Sequence, residues 1–273
     1  MSGKLKSKYI ELLWVLVPLV VVAEVFVQWR IPAQEPSEEE WRAAVSYVRQ
    51  QKQDDYLVVF TPTWAAQARM YLKDLISLRD FGRFETTRYT GIIELSVGDR
   101  KAPEVEGLKR VSVRTFGEIT VSLYDNPQTV TVLYDFLEHY PNMEVGGGAH
   151  HSPKIFIDHW FRPRNILFLD LKSRVVSATF KNVPLDGVIH GYGIIAYREA
   201  RFNRGTPVEL SIFVNDKKIG EHKINNFDLV EPFNFATNSK GRGTVRFDVK
   251  TRTPVKRRFG FVADVRRKME GGR

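Results

Sequence analysis

The chain has 273 residues, of which 43% are hydrophobic, 12% aromatic and 27% charged. This composition supports one large or two ordinary buried cores and excludes both a disordered chain and a lipid-embedded bundle. Cysteine is absent, which excludes disulfide scaffolds, thiolate zinc sites and cysteine nucleophiles. The net charge of +9 lies in residues 240–273, and this pattern favours anionic lipid or an acidic polymer over nucleic acid as the binding partner.

The first predicted element is a membrane anchor. Residues Tyr9–Trp29 form an apolar run that would rise about 31 Å as a helix, roughly the thickness of a bilayer core. Lys4, Lys6 and Lys8 mark residues 1–8 as a cytoplasmic tail and place the bulk of the chain outside the cytosol. A cleaved signal peptide is the alternative. Glu24 inside the run would either contact a neighbouring transmembrane helix or snorkel from a tilted one.

An α/β domain is predicted over residues 37–145. The sequence Ser37-Glu38-Glu39-Glu40 fits a capping box at the start of a helix, and Tyr56–Phe60 has the apolar, β-rich character of a strand. Thr61-Pro62-Thr63 is typical of a second helix start. Three further strands are predicted at Gly91–Val97, Ile119–Tyr124 and Val130–Tyr134.

Short strands of alternating character separated by turn residues follow, and they predict an antiparallel, jelly-roll-like β-sandwich over residues 160–265. The clearest turn is Asn215-Asp216, between Leu210–Val214 and Lys218-Ile219. The overall class is therefore α+β. Residues 266–273 are predicted to be a basic tail, either docked on lipid headgroups or an acidic partner, or frayed in solvent, which is the favoured alternative.

Two segments resemble known families. Trp41–Val48, Asp54–Trp64 and Tyr71-Leu72 resemble the extracytoplasmic α/β segment of bacterial polyprenyl-phosphate-sugar (protein mannosyltransferase-like) membrane glycosyltransferases. Pro184–Gly187, Gly191–Gly193 and Val208–Phe213 are similar to the galactose-binding-like β-sandwiches of surface-polysaccharide proteins. The first resemblance implies an accessory domain at the bacterial inner membrane, single-pass and facing the periplasm. Since those enzymes carry their catalytic acid on a many-helix membrane domain, no catalytic residue carries over.

One candidate ligand site lies where the first strand meets the next helix. Thr61, Thr63 and Trp64 occupy this junction, which is where α/β layers bind anions and sugars. The alternative is that a threonine caps the helix while Trp64 packs in the core.

A second candidate is an aromatic shelf for a sugar ring. Trp160 and Tyr192 would supply apolar faces, while Arg162 and His190 would supply hydrogen bonds at the ring edge. The alternative is a sandwich whose loops contain aromatic residues without binding anything.

A metal site is the third candidate. His150, His151, Asp158 and His159 have the donor types of a first-row metal centre. Neighbouring strand residues point to opposite faces, so the two adjacent histidines could share an ion only from a loop. A flexible glycine loop is the alternative, and no other cofactor is expected.

These patterns together predict a non-catalytic envelope protein, held by a signal-anchor, that binds or positions a glycan, a lipid-linked sugar or a multi-span glycosyltransferase in polysaccharide assembly. Two alternatives stay open. One is a metal-assisted hydrolase or glycan-modifying enzyme that uses the histidine cluster. The other is a structural subunit that joins a membrane complex through Glu24 and the basic end.

Overall fold

The computed structural model describes residues 16–26, 36–62, 70–72, 74–98, 100–127, 130–158, 161–196, 205–225, 230–254 and 257–268. Residues 16–26 are helical, and their large apolar side chains, from Leu16 to Phe26, are at least half exposed. Within these ranges no helix combines the length and the hydrophobicity that a membrane crossing needs. Residues 9–15 and 27–29 of the predicted anchor lie outside the described ranges, so the anchor stays a prediction.

Helix α1 (Glu38–Gln51) begins at the predicted capping box. The Ser37 hydroxyl accepts from Glu40 N, and the Glu40 carboxylate accepts from Ser37 N, so two otherwise unpaired donors are satisfied. Trp41, Val45 and Val48 recur at helical spacing and are buried, which turns one face of α1 onto the first sheet.

Sheet A is built from β1 (Tyr56–Thr61), β2 (Gly91–Val97), β3 (Lys109–Phe116) and β4 (Ile119–Asp125), in the order β1-β2-β4-β3. β1 and β2 are parallel, and the other pairs are antiparallel. One face packs on α1 through Val58, Ile93 and Val121. The short helix α2 (Leu78–Phe81) lies on the segment that leads into β2.

The remaining strands form a sandwich of two antiparallel sheets, which confirms the predicted C-terminal β-sandwich. These strands are β5 (Val130–Asp135), β6 (Glu144–Gly146), β7 (His151–Ile157), β8 (Pro163–Asp170), β9 (Val175–Pro184), β10 (Val188–Ile195), β11 (Val208–Val214), β12 (Lys217–Ile224), β13 (Pro232–Ala236), β14 (Arg242–Lys250) and β15 (Arg258–Lys268). Sheet B has the order β13-β10-β15-β8-β7, with β5 also paired to β15, and sheet C has the order β12-β11-β14-β9-β6. Their inner faces share one large apolar core.

The hairpin between β11 and β12 follows the sequence prediction closely. Asn215 and Asp216 have φ values of 47° and 63°, the left-handed backbone that a two-residue hairpin turn requires. Leu210, Ile212 and Val214 point into the core between the sheets. Local turn chemistry and alternation were sufficient to identify this pair.

The observed boundary between the two units differs from the predicted one. β5, β6 and β7 pair with β15, β9 and β8, so the sandwich begins at Val130 and the α/β unit ends near Asp125. The predicted division at residues 145–160 is therefore wrong. The reason is that these three strands pair mostly with strands far along the chain, and such partners cannot be read from local pattern.

The predicted basic tail also requires correction. β15 continues to Lys268, so residues 266–268 belong to a strand and not to a frayed end. Arg266 is buried and forms ion pairs with Asp264 and Glu85, whereas its neighbour Arg267 is exposed. Residues 269–273 lie outside the described ranges.

Candidate functional site

Thr61 is the last residue of β1, opposite Ser96 of β2. At the other end of β1, Tyr56 pairs with Gly91, the first residue of β2. The chain segment that carries Glu85 enters β2 at this Gly91 end. Thr61 is thus about 17 Å along the strand from that entry point. Thr63 and Trp64, the other two residues of this predicted site, lie outside the described residues, and no ligand contact is assigned to Thr61.

The structure does not bring the predicted metal ligands together. His151 is the first residue of β7 and Asp158 directly follows its last residue, a separation of about 23 Å along an extended strand. Asp158 instead accepts from Arg164 Nε and from Arg162 N, each at 2.9 Å. His159 lies outside the described part of the chain, within which no three His, Asp or Glu side chains cluster as metal ligands.

The predicted aromatic shelf is formed in part, but its ring face is already covered. Tyr192 on β10 stacks on Phe84 of the α/β unit, with ring centroids 4.6 Å apart and planes 12° apart. The Arg164 guanidinium lies 4.8 Å from the centre of the Phe84 ring. Arg162 belongs to the turn between β7 and β8, and Trp160 is outside the described residues. The chain's own Phe84 therefore takes the place that a sugar ring would need.

His190 and Tyr192 belong to a polar junction between the two units. The Glu85 carboxylate accepts from Arg266 Nη1 and from the Tyr192 hydroxyl, the latter at 3.2 Å. His190 Nε2 lies 3.4 Å from Glu85 Oε1, and its Nδ1 lies 2.7 Å from Asn234 Oδ1. Arg266 also donates to both carboxylate oxygens of Asp264. Side chains from both units are thus joined in one buried ionic network, which we call the junction network.

The electrostatics of this network are dominated by the buried charges. Burial by itself would raise the pKa of Glu85, but His190 and the Arg266 guanidinium outweigh it and lower that pKa to about 2. Burial and the Glu85 carboxylate raise the pKa of the Tyr192 hydroxyl, so this group remains a hydrogen-bond donor. The cleft beside these side chains has a volume of about 50 Å³, which admits about three water molecules. The junction network therefore joins side chains of the two units beside a narrow cleft.

The lowered pKa of Glu85 makes stability depend on pH. Its folded pKa of about 2 lies below the ordinary 4.5, so the stabilisation is complete above pH 4.5 and is lost as the pH falls toward 2. We expect Glu85→Gln to lower the free energy of unfolding by roughly 2–3 kcal/mol at neutral pH. Urea denaturation across this pH range should show the difference from wild type shrinking with acidity, and a difference independent of pH would contradict the assignment.

The surface that best fits a ligand is the outer face of sheet C. Side chains at alternate positions of its strands point away from the core, because their neighbours Ala178, Ile212 and Phe247 are buried between the sheets. Cross-strand register aligns five outward residues into one row across all five strands. This polar row consists of Glu221, Ser211, Asp248, Ser177 and Gly146. Glu221 and Gly146 are exposed, and the other three residues of the row are half-exposed.

Hydrogen bonds and an aromatic ring complete this surface. Ser211 Oγ donates to Glu221 Oε2 at 3.2 Å within the row. Arg246, in the adjacent row, donates to Asp248 at 3.2 Å and to Asp216 at 2.7 Å, and its guanidinium lies 4.4 Å from the centre of the half-buried Phe213 ring. These bonds use two of the five guanidinium N–H donors and one oxygen of Asp248. The remaining donors and acceptors are fixed in place and suit a ligand rich in hydroxyl groups.

Comparison with known proteins adds structural likenesses only. No family model matches the chain, and no curated protein matches its sequence. CBM51 from Clostridium perfringens GH95, in complex with methyl-galactose, aligns with 9% identity and a TM-score of 0.36 over 50% of this chain and 100% of that one. CBM51-2 in complex with GlcNAc and the INT domains from Clostridium perfringens ZmpB align with 9% identity and a TM-score of 0.37 over 80% of this chain and 48% of that one. A family 35 carbohydrate binding module from Clostridium thermocellum aligns with 16% identity and a TM-score of 0.30 over 50% of this chain and 98% of that one. Scores of this size assign no ligand to this chain.

Sequence reasoning missed the outer face of sheet C. Each strand shows the alternation that places Ser177, Ser211 and Asp248 on the solvent side, so their exposure could have been read from the pattern. Their alignment could not, because β9, β11 and β14 are separated by long stretches of chain and register is set by pairing.

Proposed function

We propose that this protein is a non-catalytic glycan-binding protein of the bacterial envelope. Residues 9–29 would anchor it in the inner membrane, and the sandwich would hold or position a glycan on the periplasmic side. The single observation that supports binding is the outer face of sheet C, where Asp248, Ser211 and Arg246 present charged and hydroxyl hydrogen-bonding groups side by side. A small number of polar groups placed together in this way can fix the orientation of a bound ligand.

The binding proposal is tested on Asp248. We expect the full-length protein to be retained in affinity electrophoresis by at least one envelope polysaccharide, and Asp248→Asn to weaken that retention about tenfold or more, since a hydrogen bond to a charged group contributes roughly 1.5–3 kcal/mol. Asp125→Asn is the matched control, because Asp125 is exposed on sheet A. Equal retention of both variants, or no retention of the wild type, would overturn the proposal.

The membrane topology is tested separately. A periplasm-active reporter fused after Arg273 should be active, and a cytosol-active reporter at the same position should be silent. The reverse result would remove the envelope location and leave the binding proposal to stand on the outer face of sheet C alone.

A further inference from the structure

The polar row has the length of several sugar rings. It crosses all five strands of sheet C, from Glu221 on the edge strand β12 to Gly146 on the edge strand β6. Four spacings between neighbouring strands amount to about 19 Å. Both ends reach the edges of the sheet, and Gly146 has no side chain to close its end. A ligand lying along the row can therefore continue beyond the sheet in both directions.

The rows on either side are taller than the polar row. One flanking row contains Lys223, Glu209 and Lys250, and the other contains Lys218, Phe213 and Arg246. The centre of the polar row consists of Ser211, Asp248 and Ser177, whose side chains are shorter. Over β12, β11 and β14 the outer face is thus a shallow trough with a hydroxyl-and-carboxylate floor and long side chains along both sides, and on β9 the two sides continue as the shorter Val175 and Thr179.

The charges of the trough favour an uncharged ligand. Asp248 and Glu221 place carboxylates on the floor, where each is paired with a flanking cation, Arg246 or Lys218, and can also accept from hydroxyl groups. On one side, Glu209 stands opposite both Lys223 and Lys250 in the register, and on the other Arg246 is paired with Asp216 and Asp248. These opposite charges leave little net positive charge to attract an anionic polymer.

Building on the proposed glycan-binding function, we propose that the ligand is the interior of an extended, uncharged polysaccharide that lies across the strands of sheet C. The site binds neither a single terminal sugar nor an acidic chain. Asp248, Ser211 and Arg246 hold the central rings, and the ends of the row at Gly146 and Glu221 contact rings farther along the chain.

Chain length provides the test. Isothermal titration of the full-length protein would use neutral gluco-, galacto-, manno- and N-acetylglucosamine oligosaccharides from one ring to six, with oligogalacturonate as the acidic arm. For the series that binds, we expect the Kd to fall about fivefold for each added ring, equivalent to one hydrogen bond of about 1 kcal/mol, until the row is filled. A single ring that binds as tightly as the hexamer, or tighter binding of oligogalacturonate, overturns this inference while leaving glycan binding in place. If no series binds, glycan binding itself fails.

Gly146→Gln tests the open end of the row. A Cβ on Gly146 would lie 3.5 Å from the Ser177 Cβ, an ordinary contact, and the backbone has no positive φ, so the variant should fold. We expect the variant to bind a disaccharide as wild type does. Its affinity for the hexamer should be about fivefold or more weaker than that of wild type, since at least one ring contact is removed. Lys172→Gln, at an exposed position after β8, is the control, and thermal unfolding confirms that both variants are folded. Unchanged binding of the hexamer by Gly146→Gln would contradict the inference.

Discussion

Replacing Arg266 with alanine is expected to lower the free energy of unfolding by about 3–5 kcal/mol, because it leaves buried carboxylates without their counter-charge. Arg266 donates to both oxygens of Asp264 and to Glu85, and all three side chains are largely buried. Burial alone would lower the pKa of this guanidinium, but the two carboxylates raise it, so the charge is stabilised where it lies. Removing it would weaken both the end of β15 and the contact between the two units.

Arg267 offers a matched control on the same strand. It is the next residue and is exposed, so Arg267→Ala should change the free energy of unfolding by no more than about 0.5 kcal/mol. Urea denaturation followed by circular dichroism measures both variants. Similar small losses for the two would mean that the junction network contributes little to stability, and the role assigned to Arg266 would be wrong.

The contrast between Arg266 and Arg267 shows where sequence reasoning ends. Both belong to a run of basic residues near the end of the chain, and composition predicts the same solvated tail for each. What separates them is Glu85, which lies 181 residues earlier and pairs with Arg266 but not with Arg267. A contact of that range depends on the packing of two units, and no local pattern reports it.

His190 and Tyr192 show the same limit for residues that the sequence did identify as candidates. The sequence identified them as residues of interest, and the structure does place them in one polar cluster. Their predicted role as a sugar shelf depended on an open ring face, which Phe84 covers from another part of the chain. The residue types indicated a polar and aromatic cluster, and its partners, Glu85 and Phe84, come from another part of the chain.

Local signals were sufficient where structure is local. The capping box at Ser37 and the turn at Asn215-Asp216 lie where the sequence predicts them, and the strand predicted at Tyr56–Phe60 extends one residue further, to Thr61. The strand β5 was assigned to the α/β unit, and β6 and β7 were not predicted as strands; the partners of β5 and β6 lie far along the chain and are set by the whole sandwich. The outer face of sheet C was missed for the same reason, since its rows exist only once the register is known.

The second large effect is expected in the core beneath the proposed glycan site. Phe247 lies on β14 between Arg246 and Asp248 and points inward, where it is fully buried. Its ring centre is 4.7 Å from that of Phe261 on sheet B and 4.9 Å from that of Phe136. Phe247→Ala should therefore cost about 3–5 kcal/mol of unfolding free energy, because the cavity lies between two sheets that are each held by their own hydrogen bonds and cannot collapse onto it.

Lys250→Ala is the stability control for this variant, since Lys250 is exposed on the same strand. This substitution should change the free energy of unfolding by no more than about 0.5 kcal/mol. Thermal and urea denaturation measure both, and a loss below about 1 kcal/mol for Phe247→Ala would show that the sheets do not pack through these rings. The outward side chains next to Phe247 owe their positions to the same strand, so the cavity should also weaken glycan binding without removing any group that touches the ligand. A variant that loses the expected stability and still binds as wild type would mean that the outer face of sheet C keeps its geometry independently of the core beneath it.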